Sequence, residues 1–274
     1  MNGASRQKTN IILLMALNVA IPVFVLLLWH NRQLGPPASA HGAGIDAMLN
    51  YLLLTVGLML VAGHVVLAVF LWRSSHRDRI AGRMVSEKTE WKWAILPLVL
   101  MTFVAEGGVM VIGLPVWKQL YAHDEPGNSL VVEVMGEQFA WSFRYAGADN
   151  TFGALDSQYI DDENVFGIDP DDGNGADDIV VSGELRVPVD VPLRLRMRTK
   201  DVLHSLFLPR HRVKQDLVPG MVVDTRFTPT ETGQFEILCT ELCGLGHYQM
   251  RGILEVVTAE SFEGWLNEMV DDDW

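Results

Sequence analysis

The chain's two cysteines both lie in "CTELCGLGHYQM", residues 239–250, four positions apart and beside His247 and Met250. A disulfide, a redox pair or a metal site would each use closely spaced thiols. A disulfide there meets the geometric limits, but it closes a tiny loop and leaves His247 and Met250 without a role. Zinc bound by two Cys and two His leaves Met250 idle. Copper uses all four: thiolate as the strong covalent ligand, imidazole as a borderline one, thioether as a long, weak axial one. Cys239 puts a second thiolate within reach, and two thiolates can bridge two coppers. Each copper is then finished by one His, with Met250 and a backbone carbonyl as weak outer ligands. The second His must come from elsewhere, and His204 in "DVLHSLFLP" is the best placed. Such a site leaves no open position for a substrate. It shares one electron over two metals and relays it.

These residues need a rigid frame, and the rest of the sequence supplies two kinds of segment. Of 274 residues 49% are hydrophobic and the net charge is -13, with the apolar share concentrated before residue 116 and most of the acid after it. The acidic balance excludes nucleic acid as a partner and favours a basic one. Three apolar runs, Ile11 to Trp29, Tyr51 to Trp72 and Trp93 to Leu114, approach or reach the ~20 residues that cross a bilayer. The loop between the second and third carries Arg73, Arg77, Arg79, Arg83, Lys88 and Lys92, whereas the linker before the second carries Arg32 alone. The positive-inside bias makes the basic loop cytoplasmic and puts everything after Leu114 outside. The first run reads as a retained span. A signal peptide ending at the small residues Ala38 to Ala40 is the alternative, and it leaves the outer domain on the same side.

After Lys118 the pattern becomes that of strands. "SLVVEVMGEQFAWSFRY" alternates apolar and polar residues like a half-buried strand, and so do "ELRVPVDVPLRLRMRT", "MVVDTRFTP", "QFEILC" and "GILEVV". The spacing predicts an all-β sandwich or barrel closed by a helix over Ala259 to Val270. Residues Asp156 to Asp178 hold nine carboxylates and no Lys or Arg, a composition that predicts a solvated loop. The expected division is residues 1–49 as hydrophobic segment and linker, 50–118 as a transmembrane hairpin, and 119–274 as the outer domain with the acidic insertion at 156–178.

At this point the chain resembles subunit II of haem-copper cytochrome c oxidase, from about Tyr51 to Met269. The pattern C-x-E-x-C-x3-H-x2-M is complete as Cys239, Glu241, Cys243, His247 and Met250. "DVLHS" at 201–205, "KQDLVPG" at 214–220 and "WAILP" at 93–97 also match segments of that family. The resemblance implies membrane helices, two of the family type and one extra, followed by a cupredoxin-like Greek-key β-barrel carrying a binuclear copper centre, CuA. The implied ligands are His204, Cys239, Cys243, His247, Met250 and the backbone carbonyl of Glu241. The Glu241 side chain would reach magnesium or manganese at the boundary with subunit I.

The resemblance further implies that electrons pass from cytochrome c, or a cytochrome c domain of a neighbouring complex, through CuA to haem held only in subunit I. Oxygen is reduced there and protons are translocated. Subunit I, other oxidase subunits and membrane lipid would be the partners, and a bacterial-type inner membrane the location. The family's electron-input pair of Trp residues corresponds to Phe139 and Trp141, where Phe139 lacks the indole N–H. Glu90 aligns with an acid at the cytoplasmic mouth of a proton channel. Glu106, inside the third span where the family is apolar, is expected to pack against subunit I. His64 in the second span reads as a helix-packing residue. The acidic insertion becomes a docking surface for a basic cytochrome c. The alternatives are a CuA subunit of a nitric oxide reductase, decided by the partner subunit, and a membrane-anchored copper chaperone, against which a closed ligand set argues.

Overall fold

The computed structural model describes residues 3–30, 35–75, 86–121 and 129–271. Arg32, Arg77, Arg79 and Arg83, which carry part of the positive-inside bias, lie outside them. Two units separate: Met1–Gln33 with Asp46–Pro115, and Leu34–Ile45 with Val116–Trp274.

The first unit is helical. Helix α1 spans Gly3–His30, α2 Gly42–Ser75, and α3 Glu87–Leu100 runs through a π-helical segment, Met101–Glu106, into α4, Gly107–Tyr121. Thr9–Leu28, Gly42–Arg73 and Glu87–Tyr121 are long and apolar enough to cross a membrane. Three polar side chains within them bond to their own helix backbone. Asn18 Nδ2 donates to the Leu14 carbonyl at 2.9 Å, Thr55 Oγ1 to Tyr51 at 2.9 Å, and His64 Nδ1 lies 2.7 Å from the Leu60 carbonyl. This is how a hydrocarbon-facing helix accommodates such groups. The widened π turn is served by a neighbour: the Tyr51 hydroxyl of α2 donates to the Val104 carbonyl. Gly108 makes room for that ring, since a Cβ there would lie 2.1 Å from it.

The second unit is a sandwich of two five-stranded sheets. The strands are β1 Leu130–Glu137, β2 Ala140–Tyr145, β3 Ile179–Ser182, β4 Glu184–Pro188, β5 Leu193–Thr199, β6 His204–Leu208, β7 Val213–Leu217, β8 Val223–Phe227, β9 Gly233–Cys239 and β10 Arg251–Val257. One sheet runs β3-β2-β1-β5-β8 and the other β4-β10-β9-β6-β7. In "LRLRMRT" Leu193, Leu195 and Met197 point into the core, and the Arg that follows each of them points away. Trp141, Phe143, Leu206, Leu217 and Ile237 fill the space between the sheets. Helix α5, Ala259–Asp271, closes the chain where the sequence predicts it, packing Phe262 and Trp265 on Tyr145.

The structure corrects one expectation and refines two others. The stretch "SLVVEVMGEQFAWSFRY" is a hairpin, not one strand, turning between Glu137 and Ala140. Strand β1 is also buried on both faces, because the acidic insertion covers its outer side. The insertion itself is a knitted loop. Asp156, Asp161, Asp169 and Asp172 each accept backbone N–H groups two or three residues on, and Asp172 also accepts that of Ala154. Val165 and Phe166 bury against Met135. Beneath the loop Arg144, fully buried, pairs with Glu133 at 2.9 Å and with Asp178, and Glu133 also takes Arg198 at 2.9 Å. An acid-rich composition can thus serve turns and a buried ion network as well as solvation.

The third concerns the linker before α2, which is built into the β domain. Ser39 bridges to Pro229, Ala38 N–H donates to the Arg210 carbonyl, Ala40 N–H to that of Thr228, and Ser39 Oγ to that of His211. Ala38 is fully buried in the core. Cleavage after Ala40 would strip these contacts from the sandwich.

Candidate metal centre

Four elements deliver the residues. His204 opens β6, Cys239 ends β9, Cys243 lies in the following loop, and His247 to Met250 form a short helical turn leading into β10. Pairing of β9 with both β6 and β10 brings their ends together at one edge of the sandwich. The Cys239 N–H donates to the Met250 carbonyl, and the Thr240 N–H to that of Ser205.

The donor atoms converge. Cys239 Sγ lies 3.9 Å from Cys243 Sγ, 3.9 Å from His204 Nδ1 and 3.3 Å from the Glu241 carbonyl oxygen. Cys243 Sγ lies 3.6 Å from His247 Nδ1 and 3.8 Å from Met250 Sδ. His204, Cys239 and Cys243 form one cluster whose ligand atoms fall within 4.8 Å of each other. A first-row metal about 2.3 Å from sulfur and about 2.0 Å from nitrogen at near-tetrahedral angles spaces its donors by about 3.5–3.9 Å. The observed spacings are of that size, and both cysteines are free thiols. The residues therefore fit a thiolate-rich metal. They sit in a dry pocket: His204 is fully buried and Met250, Cys243 and Cys239 are nearly so.

Burial, with Cys239 alongside, pushes the Cys243 thiol up to about 11. The bare site therefore holds its proton at neutral pH, and a metal must displace it. The second His is oriented from behind: His204 Nε2 is 2.8 Å from Asp201 Oδ1, which leaves Nδ1 free to face the sulfurs. Asp201 also accepts the Gln138 N–H at 2.8 Å, and the Gln138 side chain donates to the Cys243 carbonyl. Although burial pushes Asp201 up, its bonds to His204, Val202 and Gln138 hold its carboxyl below the usual range. Sequence reasoning missed Asp201 and Gln138. A carboxylate three residues before a metal-facing His was the available signal; Gln138 gave none.

The other expected residues are more dispersed. Trp141 is fully buried, its ring edge-on to His204 with centroids 6.0 Å apart. Phe139 is partly exposed and lies against the Cys243 loop, where a Cβ on Gly246 would meet its ring at 2.4 Å. Of the two, Phe139 can meet another protein. The Glu241 side chain is exposed, and Glu90 is an exposed residue in the first turn of α3 in the helical unit. Around the cysteines the loop presents Leu242, Leu245 and Tyr248 outward, Leu245 at 99% exposure.

The family profile "Cytochrome C oxidase subunit II, periplasmic domain" matches residues 130–257. The "Alternative cytochrome c oxidase subunit 2" of Bradyrhizobium diazoefficiens is 35% identical over 235 residues, covering 85% of this chain and 82% of the relative. The chain belongs to the cytochrome c oxidase subunit II family. A "Cytochrome c oxidase subunit 2" from Synechocystis is 25% identical over 295 residues, covering 90% of this chain and 80% of that one. The crystal structure of the periplasmic domain of subunit II of cytochrome oxidase from Bradyrhizobium japonicum has 28% identity and a TM-score of 0.39. It covers 53% of this chain and 95% of that one. As a subunit II of the haem-copper oxidases, the chain is a membrane-anchored member of an oxidoreductase complex, with apolar helices followed by a cupredoxin-like copper-binding domain outside the membrane.

Proposed function

We propose that this chain is the electron-input subunit of a cytochrome c oxidase in a bacterial-type inner membrane. A copper pair held by Cys239, Cys243, His204, His247, Met250 and the Glu241 carbonyl would take single electrons from cytochrome c and pass them to haem in subunit I, where oxygen is reduced and protons are translocated. The observation that carries this reading is the convergence of two free thiols, two Nδ1 atoms, a thioether and a carbonyl within 3.3–3.9 Å contacts. No position in that set is left for a substrate.

The chain's own residues keep the site rigid and dry. Asp201 fixes the His204 tautomer, Gln138 steadies the Cys243 loop, and Trp141 walls the inner side. Rigid ligands suit electron transfer, which is fastest when bonds change little. Phe139, with Leu242, Leu245 and Tyr248, forms an apolar patch of the kind that marks a protein contact. Acidic side chains of the insertion would steer a basic donor toward it. The Glu241 side chain would hold magnesium or manganese beside subunit I, and Glu90 would lie at a proton-channel mouth. Residues 1–49, 50–118 and 119–274 divide these tasks between extra anchor, hairpin and copper domain.

Visible and low-temperature EPR spectra of the purified, copper-loaded full chain test this. A purple protein whose single unpaired electron couples equally to two coppers is expected. A blue one-copper spectrum, or a colourless Cys239–Cys243 disulfide, would sink the relay and favour copper delivery or a structural role.

A further inference from the structure

We propose that Glu106 is the contact point for a transmembrane helix of a partner subunit, one that brings a cation or another hydrogen-bond donor to the middle of the membrane. The identity of that partner as an oxidase subunit rests on the reading above; the contact itself does not.

Glu106 lies within the apolar helix Glu87–Tyr121. At ~1.5 Å per residue it is ~20 Å along the axis from Trp93 and ~12 Å from Leu114. A Glu side chain is too short to reach either membrane surface from there. The residue also lies on an open face. Ala105 is fully buried, and Gly108 and Gly113 pack under Tyr51 and Met48 of α2. Glu106 is itself exposed, and Met110 and Leu114, four and eight positions on in a stripe along its side of the helix, are 58% and 52% exposed. Among the described residues the Glu106 carboxyl has no hydrogen bond or ion pair.

The backbone supplies a second observation. Glu106 ends the π-helical segment, a geometry that recurs where a helix is adapted to a functional contact. The Val104 carbonyl in that segment is already served by Tyr51, so the distortion is satisfied within the chain and the carboxyl is not. Hydrocarbon offers a carboxylate nothing, and intramembrane acids face protein partners or cavities. Lipid is therefore a poor occupant of this stripe. A helix with an Arg, Lys, His or hydroxyl group at the same depth completes it.

The test is photo-crosslinking in native membranes from Met110, which shares the stripe, using benzoylphenylalanine in the full chain. A crosslink to a transmembrane segment carrying a donor at that depth is expected. Its yield should be retained in Glu106→Gln, which still accepts a hydrogen bond, and fall roughly tenfold in Glu106→Leu, as loss of one buried bond to a charged group would give. Crosslinks to lipid alone, or an unchanged yield in Glu106→Leu, overturn the proposal. If Glu106→Leu does not accumulate, labelling of the unsubstituted protein by a hydrophobic carbodiimide decides. Labelling only after the complex is dissociated supports the contact, and labelling of the intact complex overturns it. A crosslinked helix belonging to no oxidase subunit would keep the contact and remove the oxidase assignment. Lipid-only crosslinks in a complex that retains subunit I would do the reverse.

Discussion

At the scale of single residues the proposed copper site would depend on groups that are not among its ligands. Asp201 has no thiol or imidazole to offer, yet it sets which nitrogen of His204 faces the sulfurs. Replacing it with Ala should weaken copper binding roughly 10- to 100-fold, read by competition with a chelator, while far-UV circular dichroism stays unchanged. Gly246 makes a different contribution. Its missing side chain lets the Phe139 ring lie against the cysteine loop. Gly246→Ala should displace that ring and slow reduction by cytochrome c at least severalfold, with the copper spectrum kept. Equal rates would show that electrons arrive elsewhere.

At the scale of elements the acidic insertion is the instructive case. Its apolar anchor Phe166 is 2% exposed, so Phe166→Ala should cost about 3–5 kcal/mol in chemical denaturation, as cavity-forming Phe truncations do. The sequence showed nine acids and turn-forming Gly and Asn, and nothing in composition separates a loop that solvates from one that folds back. What decided it was a partner outside the insertion: Arg144, buried at β2, which needs Glu133 and Asp178. The proposed copper ligands were legible for the opposite reason. Cys239, Cys243, His247 and Met250 are local, and their types alone restrict the chemistry. The strands were legible wherever one face is wet, as in "LRLRMRT". They failed to separate in "EVMGEQFAWSF", where both faces of β1 are covered and alternation runs straight through a tight turn.

At the scale of the whole molecule, charge and pH come into play. In the insertion the Asp162, Glu163 and Asp171 side chains serve no turn, so neutralising all three should leave stability intact. It should also lower the rate of reduction by a basic cytochrome c at low salt, an effect that fades as ionic strength rises. Stability should itself depend on acid. Burial, with Arg210 and His41 nearby, pushes His211 down to about 4. The unfolded chain then binds the extra proton between about 6.5 and 4, so the stabilisation is whole above that window and is lost as pH falls through it. The loss is of order 3 kcal/mol. His211→Leu should flatten that part of a melting-temperature profile. His211 also marks where distant parts of the chain meet, since its carbonyl is held by Ser39 across 172 positions. The ribosome emits Ser39 long before the strands that receive it, and contacts of such long separation close late. The residues around Ala38 must therefore wait, unpaired, until Pro229 and Thr230 emerge, and Cys239 and Cys243 follow Pro229 by ten and fourteen positions. Sealing the sandwich and presenting its thiols to a metal are, in the timing of synthesis, almost the same event.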